Sequence, residues 1–189
     1  MTTQAADDDV LTARELLQVE GGTWGGLLFD NPRIGLPPAL TWSFRFPFQE
    51  VSRDYGSSPV FLDVDWLSLP VPGWRNMAGQ TVRDIGEPAE ASVYFFSHHQ
   101  YDLIDLEIVE QRERAVHARA ALRGDVDRLG IDRVVADAWL TFSGITVHLS
   151  DTTSAEAALA RLRNFTDTAG LSWSPTPGSP SFQFVPTGS

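Results

Sequence analysis

From Leu40 to Phe48 the chain alternates: Leu40, Trp42, Phe44, Phe46 and Phe48 fall on one side, and Thr41, Ser43, Arg45 and Pro47 on the other. Period two with one apolar face predicts a half-buried strand. Pro47 has no N–H for the ladder, which places the end of this strand at a sheet edge or a bulge. Val60 to Leu67 repeats the pattern, with Val60, Leu62, Val64 and Trp66 expected inward and Asp63 and Asp65 outward. Trp24 to Phe29 reads as an earlier strand bounded by the turn signal Asp30-Asn31-Pro32. The second half predicts strands over 91–97, 103–109, 115–122, 134–142 and 145–149, an antiparallel meander with one wet face. His98-His99-Gln100 and Ser143-Gly144 are its expected turns or bulges, and Leu69 to Pro88, rich in Pro and Gly, is expected to be a long connection.

Two stretches carry helical signals. Thr12 followed by Glu15 fits a capping box, Leu11, Leu16, Leu17 and Val19 supply an apolar side, and Gly21-Gly22 ends the stretch. Thr153 with Glu156 opens a second helix, expected to run from Thr153 to Ala169, with Ala155, Ala158, Leu159, Leu162, Phe165 and Ala169 on one face and Gly170 as its stop. Together these elements predict an α+β fold: a mostly antiparallel, curved sheet of roughly six to eight strands with two helices packed on one face. Residues 1–173 form the expected single domain, opening with a flexible acidic stretch over residues 1–8. Residues 174–189 read as a Pro/Ser/Gly-rich tail, which Phe182, Phe184 and Val185 would let settle as an edge strand.

Composition narrows the chemistry. All 14 basic side chains are Arg, Cys is absent, and 25 Asp and Glu leave a formal net charge of -11. Without Lys there is no Schiff base and no P-loop lysine, and without Cys no thiolate nucleophile, thiolate zinc site or disulfide. Codon usage in a GC-rich genome accounts for Arg in place of Lys without implying a function. The negative charge repels phosphate backbones, so no nucleic-acid partner is expected; even the Arg-containing window from Tyr101 to Asp137 stays acidic. Met1 to Asp9 lack a basic segment followed by an apolar one, and no apolar run reaches the ~18 residues of a membrane span, so a cytoplasmic location without membrane attachment is expected.

Candidate sites are few. His98 and His99 with Asp102 hold imidazole and carboxylate chemistry, but neighbours on extended backbone point to opposite faces. Asp63 and Asp65, two apart on a strand, share a face that His117 or His148 would have to approach from other strands. No Gly-x-Ser-x-Gly, His-Glu-x-x-His or Gly-x-Gly-x-x-Gly motif is present, and neither a metal nor a cofactor is expected. Trp74, in a loop beside Arg75, and Trp139 fit an apolar strand face less easily than Trp24, Trp42 and Trp66, and with Tyr101, His98 and His99 they make a candidate partner surface. The leading expectation is therefore a non-catalytic binding protein whose acidic surface engages a basic protein partner, a description that fits a toxin-neutralising (immunity) or a regulatory protein. The rival is an enzyme or small-ligand binder drawing on Asp63, Asp65, His98, His99, His117 and His148. A homodimer formed by edge pairing near Pro47 is a third reading, and the sequence does not fix the oligomeric state.

Overall fold

The computed structural model describes residues 10–188; the acidic stretch expected over residues 1–8 lies outside the described residues. The strands are β1 (Gly22–Asn31), β2 (Leu36–Arg53), β3 (Gly56–Leu67), β4 (Thr81–Ile85), β5 (Glu90–Phe95), β6 (Ser97–Arg112), β7 (Ala115–Asp125), β8 (Arg133–His148), β9 (Leu171–Ser174) and β10 (Phe182–Pro186), with one α-helix, α1 (Ala155–Leu162), between β8 and β9. Strands β1, β2, β3, β5, β6, β7 and β8 follow one another through antiparallel pairs, and β8 then pairs with β1 in parallel. The sheet therefore closes on itself as a seven-stranded barrel. This corrects the expected α+β fold in two ways: the sheet is a barrel with a parallel seam, not an open antiparallel one, and the described residues contain one α-helix, not two.

Closure accounts for the interior. Trp24 and Leu28 of β1, Trp42, Phe44 and Phe46 of β2, Val60, Leu62 and Val64 of β3 and Val93 of β5 all point inward and are buried. Ile104, Leu106 and Ile108 of β6, Val116 and Ala118 of β7, and Val134, Leu140, Ile145 and Val147 of β8 complete the ring. Every barrel strand sends alternate side chains into one shared core, so a helix has no open dry face to cover. The seam needs small residues. A Cβ on Gly25 would lie 2.7 Å from Ser143 Oγ and 2.9 Å from the Gly144 carbonyl, closer than packed atoms allow. Gly144 itself sits at φ +116°, in a bulge where the pairing shifts from Trp24↔Phe142 to Gly26↔Ile145.

The expected first helix is replaced by a strap. Thr12 does bond Glu15, its N–H and hydroxyl both donating to Oε2 at 2.8 Å, but the turn stops there. Glu15 instead takes Arg53 (2.7 Å), Val19 N–H donates to Pro47 O (3.1 Å), Gln49 N–H to Leu17 O (2.8 Å), and Asp137 N–H to the Gln18 side chain (2.9 Å). Residues 17–19 thus fill the gap between β2 and the part of β8 that β1 does not reach. The second helix is shorter than expected: Ser154 caps it, accepting from Ala157 N–H (3.2 Å), and after Leu162 the chain turns so that Asp167 bridges Gly73.

The connection expected from Leu69 to Pro88 contains β4, paired with β6, and a segment that turns Trp74 and Met77 into the core. Trp74 stacks on Phe142 (4.6 Å between centroids, 8°), and Phe142 leans on Trp24 (4.4 Å). Aromatic pairs of this kind add ~0.5–1.5 kcal/mol beyond the area they bury. Strands β10 and β9 extend the sheet beyond the barrel from the end of β8.

Candidate functional site

On a filled barrel, chemistry has to sit on the outer wall. The outward positions of β2 and β3 place Arg45 beside Asp63, and Arg45 clasps the carboxylate through Nε (2.7 Å) and Nη2 (3.0 Å). Asp63 is only 3% exposed, and the guanidinium also lies over the Phe61 ring at 4.9 Å. A bidentate pair with an aromatic face is the arrangement for which Arg is suited. Ser92 follows Asp63 across the β3–β5 pair and takes a bond from or to His98 Nδ1 (3.1 Å).

The next outward row differs. Asp65 points out from β3 with Glu90 opposite it on β5 and Ser43 near it on β2, so its direct cross-strand neighbours bring no Arg. Burial raises the Asp65 carboxyl above its ordinary range, and the negative Asp63 adds to this; the Ser43 hydroxyl, Arg45 and His98 act in the opposite direction without cancelling it. Asp63, Asp65 and Glu90 stand against the single guanidinium of Arg45, so the patch is negative. It borders a groove of about 340 Å³ over the seam, whose wall includes Gly25, Leu27, Ser43, Ser143, Thr146 and Gln183.

Beside Asp65 the strand bulges. Pairing with β2 shifts between Phe44↔Val64 and Trp42↔Leu67, and Trp66 takes φ 60°, a left-handed conformation that is unusual for a bulky residue. The alternation expects Trp66 in the core; the bulge turns it outward and returns Leu67 to the interior. Its ring meets Phe29 edge-on at 5.5 Å, and Phe29 stacks on His148 at 5.7 Å. A half-buried aromatic shelf therefore adjoins the carboxylate. In comparisons with family models, curated proteins and solved structures, nothing matches this chain.

The candidate residues of the sequence do not share one surface. Trp74 is buried; Arg75 covers its ring at 4.0 Å and donates to Ala169 O. Tyr101 is buried as well, its hydroxyl donating to Ile131 O (2.8 Å), and burial pushes its pKa upward. Trp139 alone among the three aromatics is open, at 37% exposure, flanked by His117 (5.3 Å) and the Arg112 guanidinium (4.6 Å) on the outer wall of β8. His98 and His99 belong to strand β6, not to a turn, and diverge: His99 Nε2 contacts Phe95 O (3.1 Å) while His98 faces Ser92.

Of the rival pool, Asp63, Asp65 and His98 come together on one wall, whereas His117 bonds Asp137 (2.5 Å) and His148 bonds Ser181 (2.8 Å) elsewhere. Among the described residues no group of three His, Asp or Glu is placed to hold a metal. Ser92, His98 and Asp65 are the ingredients of a nucleophilic triad, but Ser92 is 6% exposed, so its hydroxyl is not open to a substrate. A second concavity, bordered by Glu87, Glu90 and Asp102 with Tyr101 and Val126, is acidic and lies on the β5–β6 side. Among the described residues no helix is long and apolar enough to cross a membrane.

Sequence reasoning missed Arg45, Ser43 and the seam residues Gly25 and Ser143. Arg45 was legible as an outward cation opposite two outward aspartates once β2 and β3 are taken as a hairpin. The seam had no local signal, because Gly25 and Ser143 lie far apart in the chain.

Proposed function

We propose that this is a non-catalytic binding protein that engages a basic protein partner, with the Asp65 groove as its anchor point. The observation that carries the reading is Asp65, a half-buried carboxylate on the wall of a groove, whose nearby Arg45 gives its two hydrogen bonds to Asp63 instead. Withdrawing a charge without a counter-charge is unfavourable, and a partner's cation entering the groove relieves that penalty on binding. The formal charge of -11 speeds the encounter with such a partner. The filled core supports binding on the outer wall, and the burial of Ser92 favours recognition over nucleophilic chemistry.

Selection of a displayed random peptide library on the immobilised protein tests this with no partner chosen in advance. The expected winners carry a basic residue and bind Asp65→Asn about tenfold more weakly, the effect of losing one partly solvated charge pair worth ~1–2 kcal/mol. Winners without basic residues, or winners indifferent to Asp65→Asn, would refute the proposal.

A further inference from the structure

We infer that the cation accepted by the groove is the guanidinium of an arginine side chain supplied by the partner protein, an inference that rests on the basic-partner reading above. The protein itself holds the pattern one row away. Asp63 receives Arg45 from the neighbouring strand, clasped through two nitrogens and lying over Phe61. Asp65 leaves the same strand on the same side, with an aromatic neighbour in Trp66 and its partner Phe29. What differs is the cross-strand residue. Where Asp63 has Arg45 nearby, the equivalent neighbour of Asp65 is Ser43, whose side chain is too short to bring a charge, and beyond Ser43 lies Gly25, which brings no side chain at all.

Ser43 leaves space on the β2 side of Asp65, and the groove runs from there toward the seam, where the Ser143 side chain lies against Gly25. The clasp of Asp63 by Arg45, with Nε on one carboxylate oxygen and Nη2 on the other, is a geometry that a planar guanidinium can repeat at Asp65 and a compact ammonium cannot. Trp66, next to Asp65 in the chain and packed edge-on against Phe29, is the nearby apolar surface for the stem of an arginine side chain. Lysine would meet the carboxylate at one point and gain less from the remainder of the site.

Hexa-arginine and hexa-lysine, which carry equal charge, distinguish this inference from general attraction to an acidic protein. Binding is measured by calorimetry at physiological ionic strength for the wild type, Asp65→Asn and Ser43→Arg, the last supplying the guanidinium from within. The expected result is hexa-arginine tighter than hexa-lysine by about fivefold, the worth of roughly one extra net hydrogen bond, with that preference lost in both variants. Equal affinities that both fall in Asp65→Asn would overturn the arginine inference while leaving the basic-partner reading in place. Affinities that Asp65→Asn leaves unchanged would overturn both. Near-ultraviolet circular dichroism checks each fold, and if Ser43→Arg is misfolded the isosteric Asp65→Asn decides the matter.

Discussion

Glu15 is the residue whose replacement tests the strap most sharply. Its bond from Arg53, aided by the Thr12 hydroxyl and N–H, lowers the Glu15 carboxyl from 4.5 to about 2 against the opposing effect of burial. Each tenfold change in proton affinity is worth about 1.4 kcal/mol, so the lowering bounds the contribution of Glu15 at about 3 kcal/mol. The side chains are 29% exposed for Glu15 and 15% for Arg53, so solvent screening reduces the expected figure to ~1–2 kcal/mol. A lowered carboxyl stabilises the fold fully above about pH 4.5, and that stabilisation fades as the pH falls toward 2. Urea denaturation of wild type and Glu15→Gln, followed by tryptophan fluorescence, should show the variant less stable by ~1–2 kcal/mol at pH 7, with the gap closing below about pH 4.5. No gap at pH 7, or a gap of constant size down to pH 3, would refute the ion-paired strap and reopen a helix over residues 12–19.

Three further outcomes follow from the same structure. Asp65→Asn should be as stable as the wild type or more so at neutral pH: a raised carboxyl favours the fold while protonated and penalises it as the pH climbs through the raised value, so the variant's advantage should grow upward from about pH 4 in denaturation series. Trp74→Ala should lose ~3–5 kcal/mol in urea unfolding by emptying the stack on Phe142, whereas Trp74→Phe should lose much less, because the buried indole N–H has no hydrogen-bond partner. Gly144→Ala should lose ~1–3 kcal/mol in thermal or urea unfolding, since φ +116° is strained for alanine and the new methyl would sit 2.5 Å from Phe184 O; an unchanged midpoint would argue against the seam geometry.

The sequence made the interior of single strands legible but not their assembly. The alternation at Trp42, Phe44, Phe46 and Phe48 is the alternation of the barrel wall, and Asp63 and Asp65 do point outward from one strand. Trp66 breaks the pattern because a bulge adds a residue to β3, and period-two reading carries no signal for a bulge. The Thr12 and Glu15 pair looks like the start of a helix because the local contact is the same in a helix and in a single turn. What decides between them is the pairing of Leu17 and Val19 with a strand some thirty residues away. Closure by β1 and β8 likewise joins segments more than a hundred residues apart, which no local pattern reports.

The site followed the same division. The aspartates and His98 were visible as candidates, while the groove was not, since it exists only where the Gly25 and Ser143 segments meet at the seam. In a Pro-rich and Gly-rich loop Trp74 reads either as a partner contact or as a residue that packs the loop onto the sheet; the loop does fold inward and uses Trp74 to complete the core. Trp139 is open, but the charged groups around it, Arg112, Arg119, His117 and Asp137, are already engaged with one another or with its ring.

The most direct measurement of the central claim is an amide chemical-shift map of the labelled protein titrated with a basic peptide recovered from the library selection. Perturbations concentrated at Gly25, Gly26, Ser43, Asp65, Ser143 and Gly144, and absent in Asp65→Asn, are the result predicted. Perturbations gathered instead around Glu87, Glu90 and Asp102, or around Trp139, with the groove amides unmoved, would contradict it.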